Sequence, residues 1–268
     1  MATEAASTAR AARRSSAFRF FARTGYVVLG LLHIAIGGIA ISIATGGGGG
    51  TADQGGALQQ IRQTPVGIVL LWIIVAGLFA LAVWQITGAV LERDPDSTKK
   101  WGLRIKFIGT AIAYAAVSGT ALTVALGGHA APSDSSRSFS ARLLAVPAGV
   151  GLLVLIGLIV GVIGVAFIVR GITRAFTKNL NLPHGAARTG IVGFGVVGYI
   201  AKGIAIAVAG VLFVIAALTH DPAAAGGLDS ALHALAGLPF GSAILWTVGA
   251  GLMVYGLFCL ARARLEAM

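Results

Sequence analysis

His33 lies ten positions beyond Arg23 in the first apolar run, about 15 Å deep at the rise of an α-helix. An ionisable side chain at that depth is by default a candidate functional group. An imidazole there could relay protons or ligate haem iron. Ile112 and Ile206, which occupy the matching positions of two later copies, are apolar, and no other apolar run supplies a second histidine. That argues against a two-histidine haem site and leaves a neutral imidazole donating to a helix carbonyl as the alternative. Lys202 falls four residues after Gly198, in register with Leu29 and Ile108. Its stem can snorkel to the interface, or its ammonium can hold a substrate. Gln85, near the end of the second run, reads as a hydrogen bonder between helices. Among the connections, His220–Asp221 and the i, i+4 pair Asp229/His233 are a weak metal pattern without a glutamate base. No phosphate loop, serine elbow or His-Glu-x-x-His occurs. The sequence therefore predicts no catalytic residue, no metal, no cofactor and no enzyme activity.

These residues are carried by apolar blocks. Of 268 residues, 57% are hydrophobic and 11% charged, against about 25% charged in soluble domains. Uncharged runs of about 20 residues are the length that crosses a bilayer. They predict helices over 25–44, 66–90, 106–126, 147–169, 190–218 and 239–260. The first run is too long for a signal peptide and lacks a convincing cleavage site, so it is read as a retained helix. Residues 1–22, with Arg10, Arg13, Arg14 and Arg19, read as a disordered or interfacial basic tail. Between the runs lie a glycine connector at 46–50, a short helical step at 57–61, a polar turn at 92–104, a Ser/Gly loop at 127–142 and a basic loop at 170–188. Cys259 is the single cysteine, which excludes an intrachain disulfide and a cysteine metal cluster.

The net charge of +11 is explained by its placement. Sixteen of the 20 lysines and arginines precede the first run or follow an even-numbered one. Arg62, Arg137 and Arg142 lie on the other side, and Lys202 lies within a run. This alternation is the positive-inside pattern. It places both termini in the cytoplasm of a multi-pass plasma-membrane protein. The basic excess then meets anionic headgroups rather than nucleic acid, and the partner it predicts is the lipid bilayer.

The runs also repeat. Arg23-Thr24-Gly25-Tyr26-Val27-Val28-Leu29-Gly30, with Gly37 seven residues on, returns as Gly198-Tyr199-Ile200-Ala201-Lys202-Gly203 with Gly210. A worn copy, Arg104-Ile105-Lys106-Phe107-Ile108-Gly109 with Ala116, lies between them. Each is followed by Pro-x-Gly opening the next run: Pro65/Gly67, Pro147/Gly149 and Pro239/Gly241. One structural unit used three times is the reading of such a period. The units span 23–94, 99–171 and 188–262, in one membrane domain over 23–262. The fold is an all-α bundle of six transmembrane helices in three tandem two-helix repeats, related by rotation about the membrane normal. Glycines seven apart share a helix face and let backbones approach closely in lipid, or else line a smooth groove. Tyr26 and Tyr199 fall at the headgroup level, whereas Trp72 and Trp246, seven residues past their prolines, fall deeper and read as packed inside. Leu58/Ile61, Leu143/Leu144 and Leu232/Leu235 read as interfacial turns capping the bundle.

The Gly-Tyr-x-x-x-Gly openings and the Pro-x-Gly turns resemble the bacterial integral membrane family called domain of unknown function 1206, over residues 20–262. The resemblance implies three two-helix modules and brings no site residues. Two functional readings follow. The first is a structural or accessory protein packing with itself or with a membrane complex. The alternative is a small-solute, lipid or ion conduit along the pseudo-threefold axis, with His33 and Lys202 near it.

Overall fold

The computed structural model describes residues 16–47, 50–92 and 96–266. Nine α-helices account for most of them: α1 (Ser16–Ala44), α2 (Gln54–Arg62), α3 (Gly67–Leu91), α4 (Ser97–Ala125), α5 (Pro132–Leu144), α6 (Gly149–Ile172), α7 (Ala186–Thr219), α8 (Gly227–Ala236) and α9 (Gly241–Leu265). Two short 3₁₀ segments, Ala175–Asn179 and Pro222–Ala225, flank α7. Helices α1, α3, α4, α6, α7 and α9 are long and apolar enough to cross a bilayer. The protein is therefore a multi-pass helical membrane protein.

The structure moves several expected boundaries. Helix α1 takes in residues 16–22, which the sequence assigns to the tail; residues 1–15 of that tail lie outside the described residues. Helix α4 starts at Ser97, inside the expected polar turn, because Asp96 caps it by accepting from the amides of Thr98 (2.9 Å) and Lys99 (3.3 Å). Residues 48–49 and 93–95, within the expected connector and turn, also lie outside the described residues. The expected Ser/Gly loop contains helix α5, opened by Pro132 in its first turn.

Each Pro-x-Gly forms the same reversal between a short helix and a long one. The amides of Gly67, Gly149 and Gly241 donate to the carbonyls of Thr64 (2.9 Å), Val146 (2.9 Å) and Leu238 (2.7 Å). The end of the short helix folds so closely over the glycine that a Cβ would strike the carbonyl of Ile61, Leu143 or Ala236. Beneath this roof Leu58 of α2 and Leu232 of α8 are wholly buried.

The units close into a ring. The second helix of each packs on the first helix of the next: α3 on α4, α6 on α7, α9 on α1. At two of these seams glycines meet backbone. Gly30 and Gly37 face the carbonyls of Gly256 and Gly249, and Gly203 and Gly210 face those of Gly164 and Gly157. At the third seam the Ser118 hydroxyl donates to the carbonyl of Val75 at 3.0 Å. Val75 occupies the position of Gly249, so Ser118 occupies that of Gly37, and Ala111, also buried, that of Gly30. This corrects the register of the middle unit. Gly109 and Ala116 are exposed, and a Cβ on Gly109 would meet nothing within 4 Å.

Within units, α1 packs on α3 and α7 on α9, but α4 and α6 make no more than isolated contact. The cause is local. Gly25 meets Gly77 backbone to backbone, and Gly251 receives Ala201 beside Gly198, which itself abuts Tyr255. In the corrected register the middle unit has Lys106 at the Gly25 position and Ile159 at the Gly77 position, both exposed. Two long side chains replace a glycine pair, and the helices stay apart.

Candidate functional site

The corrected register places three sets of equivalent residues around one space: Leu32, Ala113 and Ala205; His33, Tyr114 and Ile206; Ile36, Val117 and Ala209. All nine line a cavity of about 380 Å³ on the axis of the ring. Lys202 lines it one turn nearer the end of the bundle that carries Arg170 and Arg262, here called the basic end. Toward the roof it reaches Asp53, Gln54, Ser133 and Ser136, and its wall includes Val160 of α6. Ala113 is itself exposed on the open side of α4, so the cavity wall is continuous with the gap between α4 and α6.

His33 is buried, and its Nδ1 lies 2.7 Å from the carbonyl oxygen of Leu29, one turn earlier. A carbonyl can only accept, so Nδ1 carries the proton and Nε2 is left as an acceptor. The ring stands edge-on to Tyr255 with centroids 4.8 Å apart. The other face of this grouping is Lys202, whose Nζ lies 4.5 Å from the centre of the same Tyr255 ring and 5.1 Å from that of Phe167. The ammonium also donates to the Tyr255 hydroxyl at 3.5 Å. Among the described residues no carboxylate pairs with it. The structure thus brings His33 and Lys202 to one aromatic ring and turns Lys202 into the bundle rather than toward headgroups. Gln85, half-buried on α3, does not line the cavity.

The basic end is closed by an aromatic plug of Phe176, Tyr199, Tyr255 and Phe258 with Leu29 and Cys259. Phe176 stacks on Tyr199 at 5.0 Å. Arg262 covers the Tyr26 ring at 4.6 Å and is held by Glu266, Nε to Oε2 at 2.6 Å and Nη2 to Oε1 at 2.9 Å. Arg170, the repeat partner of Arg262, lies 5.7 Å from the Tyr199 ring in the same way. Tyr26 and Tyr199 are accordingly buried, at 2% and 3% exposure. Both turn into the bundle and not toward a lipid-facing belt, Tyr199 within the plug and Tyr26 in the core beside it, and each is covered by the arginine that ends the preceding unit. Trp72 and Trp246 show the reverse correction. They are 48% and 52% exposed, since their helices turn that face outward.

At the roof, acidic residues serve as staples. Asp53 accepts from the Gly56 amide (2.9 Å), the Ser133 amide (3.2 Å) and the Ser133 hydroxyl, joining α2 to α5. Asp229 accepts from the Ala52 amide at 2.8 Å and pairs with Arg137 at 3.5 Å. His233 donates from Nδ1 to the Asp229 carbonyl at 3.0 Å, while His220 ends α7 in a left-handed conformation and Asp221 caps the 3₁₀ turn through the Ala223 amide. Sequence reasoning missed Asp53, Ser133 and Tyr114. Asp53 had a readable signal as the polar residue opening a short helix; Tyr114 was hidden by the worn middle repeat.

A protein family described as Domain of Unknown Function (DUF1206) matches three segments of the chain, 24–92, 105–174 and 197–266. The middle segment starts 81 residues after the first, the offset that equates Gly30 with Ala111 and His33 with Tyr114. The chain is also 29% identical, over 252 residues, to the "Uncharacterized protein YxxB" of Bacillus subtilis (strain 168), covering 92% of this chain and 91% of that one. No solved structure matches.

Proposed function

The chain belongs to the DUF1206 family, and we propose that it works through its axial cavity, as a membrane binding protein or conduit for a small solute, without chemistry on what it holds. One observation carries this reading: each first helix contributes equivalent residues to a single cavity that reaches His33 and Lys202. A volume of about 380 Å³ lies within the range of small-molecule sites, and mostly apolar walls with a few convergent polar groups are their usual composition. The accessory reading, in which the chain packs with itself or a membrane complex, has less support, because it calls for a filled interior around His33. In this proposal the basic end faces the cytoplasm of the plasma membrane, the plug closes the cavity on that side, and the roof faces out.

Water access to His33 is the test. A His33→Cys variant in a Cys259→Ala background is exposed in membranes to a small hydrophilic maleimide, with Ser135→Cys on the exposed side of α5 as the accessible control. Labelling of position 33 is expected. Protection at 33 while position 135 reacts would leave a dry bundle and refute the cavity as a route for solute.

A further inference from the structure

Resting on that reading, we propose that the cavity binds a monoanionic amphiphile, its carboxylate accepting from the Lys202 ammonium beside His33 and its hydrocarbon chain leaving sideways between α4 and α6. Two independent observations converge on this ligand. The first is the ammonium. A cation within a membrane bundle is expensive unless it finds a partner. Lys202 has two aromatic faces and one hydroxyl, Tyr255, but no carboxylate among the described residues. Aromatic faces return only a part of what burying an ammonium costs. An anion in the cavity would supply the missing charge, and a single cation sets the ligand's charge at one. Tyr255 touches both Lys202 and His33, so it fixes the two groups on a common support beside the space a headgroup would fill.

The second observation is the opening. Five of the six neighbouring helix pairs around the ring are packed, and α4 with α6 is the exception. The gap is written into the side chains, Lys106 and Ile159 standing where the other units have glycines. It runs from the cavity wall at Ala113 and Val160 to a surface of exposed Ile105, Ile112, Leu155, Ile159 and Val162, which in a bilayer is a surface against lipid tails. A hydrophilic anion would gain nothing from that exit. An acyl chain would pass from the cavity into the bilayer without crossing water.

The experiment uses the full chain in nanodiscs of zwitterionic lipid with a photoreactive diazirine analogue of oleate, its crosslinks mapped by mass spectrometry. Expected are crosslinks on cavity-lining peptides of α4, α6 and α7 that unlabelled oleate competes away. Oleyl alcohol and inorganic phosphate should compete at least tenfold less well. Lys202→Gln should weaken competition at least tenfold, and Lys202→Arg, which keeps the charge, should retain it and report that the cavity is intact. Equal competition by the alcohol would remove the anion from the proposal, and equal competition by phosphate would remove the chain. Crosslinks spread over the lipid-facing surface without response to Lys202→Gln would overturn it outright. Labelling of His33→Cys without saturable oleate binding would leave the cavity reading standing and reject this ligand class; protection of His33→Cys would reject both.

Discussion

The register of the middle unit decides which small residues can be enlarged without loss of stability. A methyl group on Gly37 would sit 2.5 Å from the carbonyl oxygen of Gly249 and 2.6 Å from Cγ of Met253, about 1 Å inside ordinary contact distance. Backbone cannot rotate away as a side chain can, so α1 and α9 must part. Overpacking of this kind costs about 1–3 kcal/mol. Gly109, which a comparison of the sequences alone would equate with Gly30, has nothing within 4 Å of its added methyl. Gly109→Ala should therefore be neutral or gain the about 0.5–1 kcal/mol by which alanine favours a helix. Ala111, buried at 4% exposure at the α3–α4 seam, should resist enlargement to leucine. At about 2–4 °C per kcal/mol, Gly37→Ala and Ala111→Leu should each lower the thermal midpoint of the detergent-solubilised protein by about 2–12 °C, with Gly109→Ala unchanged or higher. Midpoints read by fluorescence-detected gel filtration decide this. If Gly109→Ala melted as low as Gly37→Ala while Ala111→Leu melted like the parent, the assigned register would be wrong.

Glu266 holds Arg262 over Tyr26, so Glu266→Ala should loosen this cover beside the plug. Maleimide applied from the basic end in inverted vesicles should label His33→Cys several-fold faster in that background, and an unchanged rate would show that the aromatic cluster seals the bundle alone. Replacing both Lys106 and Ile159 by glycine should let α4 and α6 approach as α1 and α3 do. Photoreactive oleate labelling of the cavity should then fall, and undiminished labelling would mean that the chain enters elsewhere.

Six spans, three units and the position of the three roof turns are legible in the sequence, because apolar run length and Pro-x-Gly are strong local signals. The middle unit is not, for a physical reason. A close helix seam asks for a small residue, and alanine and serine satisfy it nearly as well as glycine. Ala111 and Ser118 do so here, while Gly109 sits by coincidence two positions away in open space. The misplaced register in turn hid Tyr114 as the partner of His33. The inward turn of two tyrosines was unreadable for a different reason. Tyr26 and Tyr199 lie at a depth where tyrosine ordinarily meets headgroups. Only the pairing of each with an arginine from the preceding unit, Arg262 and Arg170, shows that they point inward.

Repetition alone would build a symmetric bundle whose axis is lined three times over by the same side chain. In this chain the copies diverge where such symmetry would leave the axis without chemistry. The level of His33 carries a histidine, a tyrosine and an isoleucine, and the level below carries Lys202 opposite Leu29. The contacts within units diverge in the same direction. Two units keep the glycine contacts that bind their helices together, and the middle one replaces them with Lys106 and Ile159. A defect confined to packing would leave a gap that leads nowhere. This gap borders the cavity wall from Ala113 to Val160, behind which the Lys202 ammonium, without a carboxylate among the described residues, and the imidazole share a tyrosine. Loss of symmetry on the axis and loss of packing at the edge therefore belong to a single arrangement, an interior polar site with a side entrance from the bilayer.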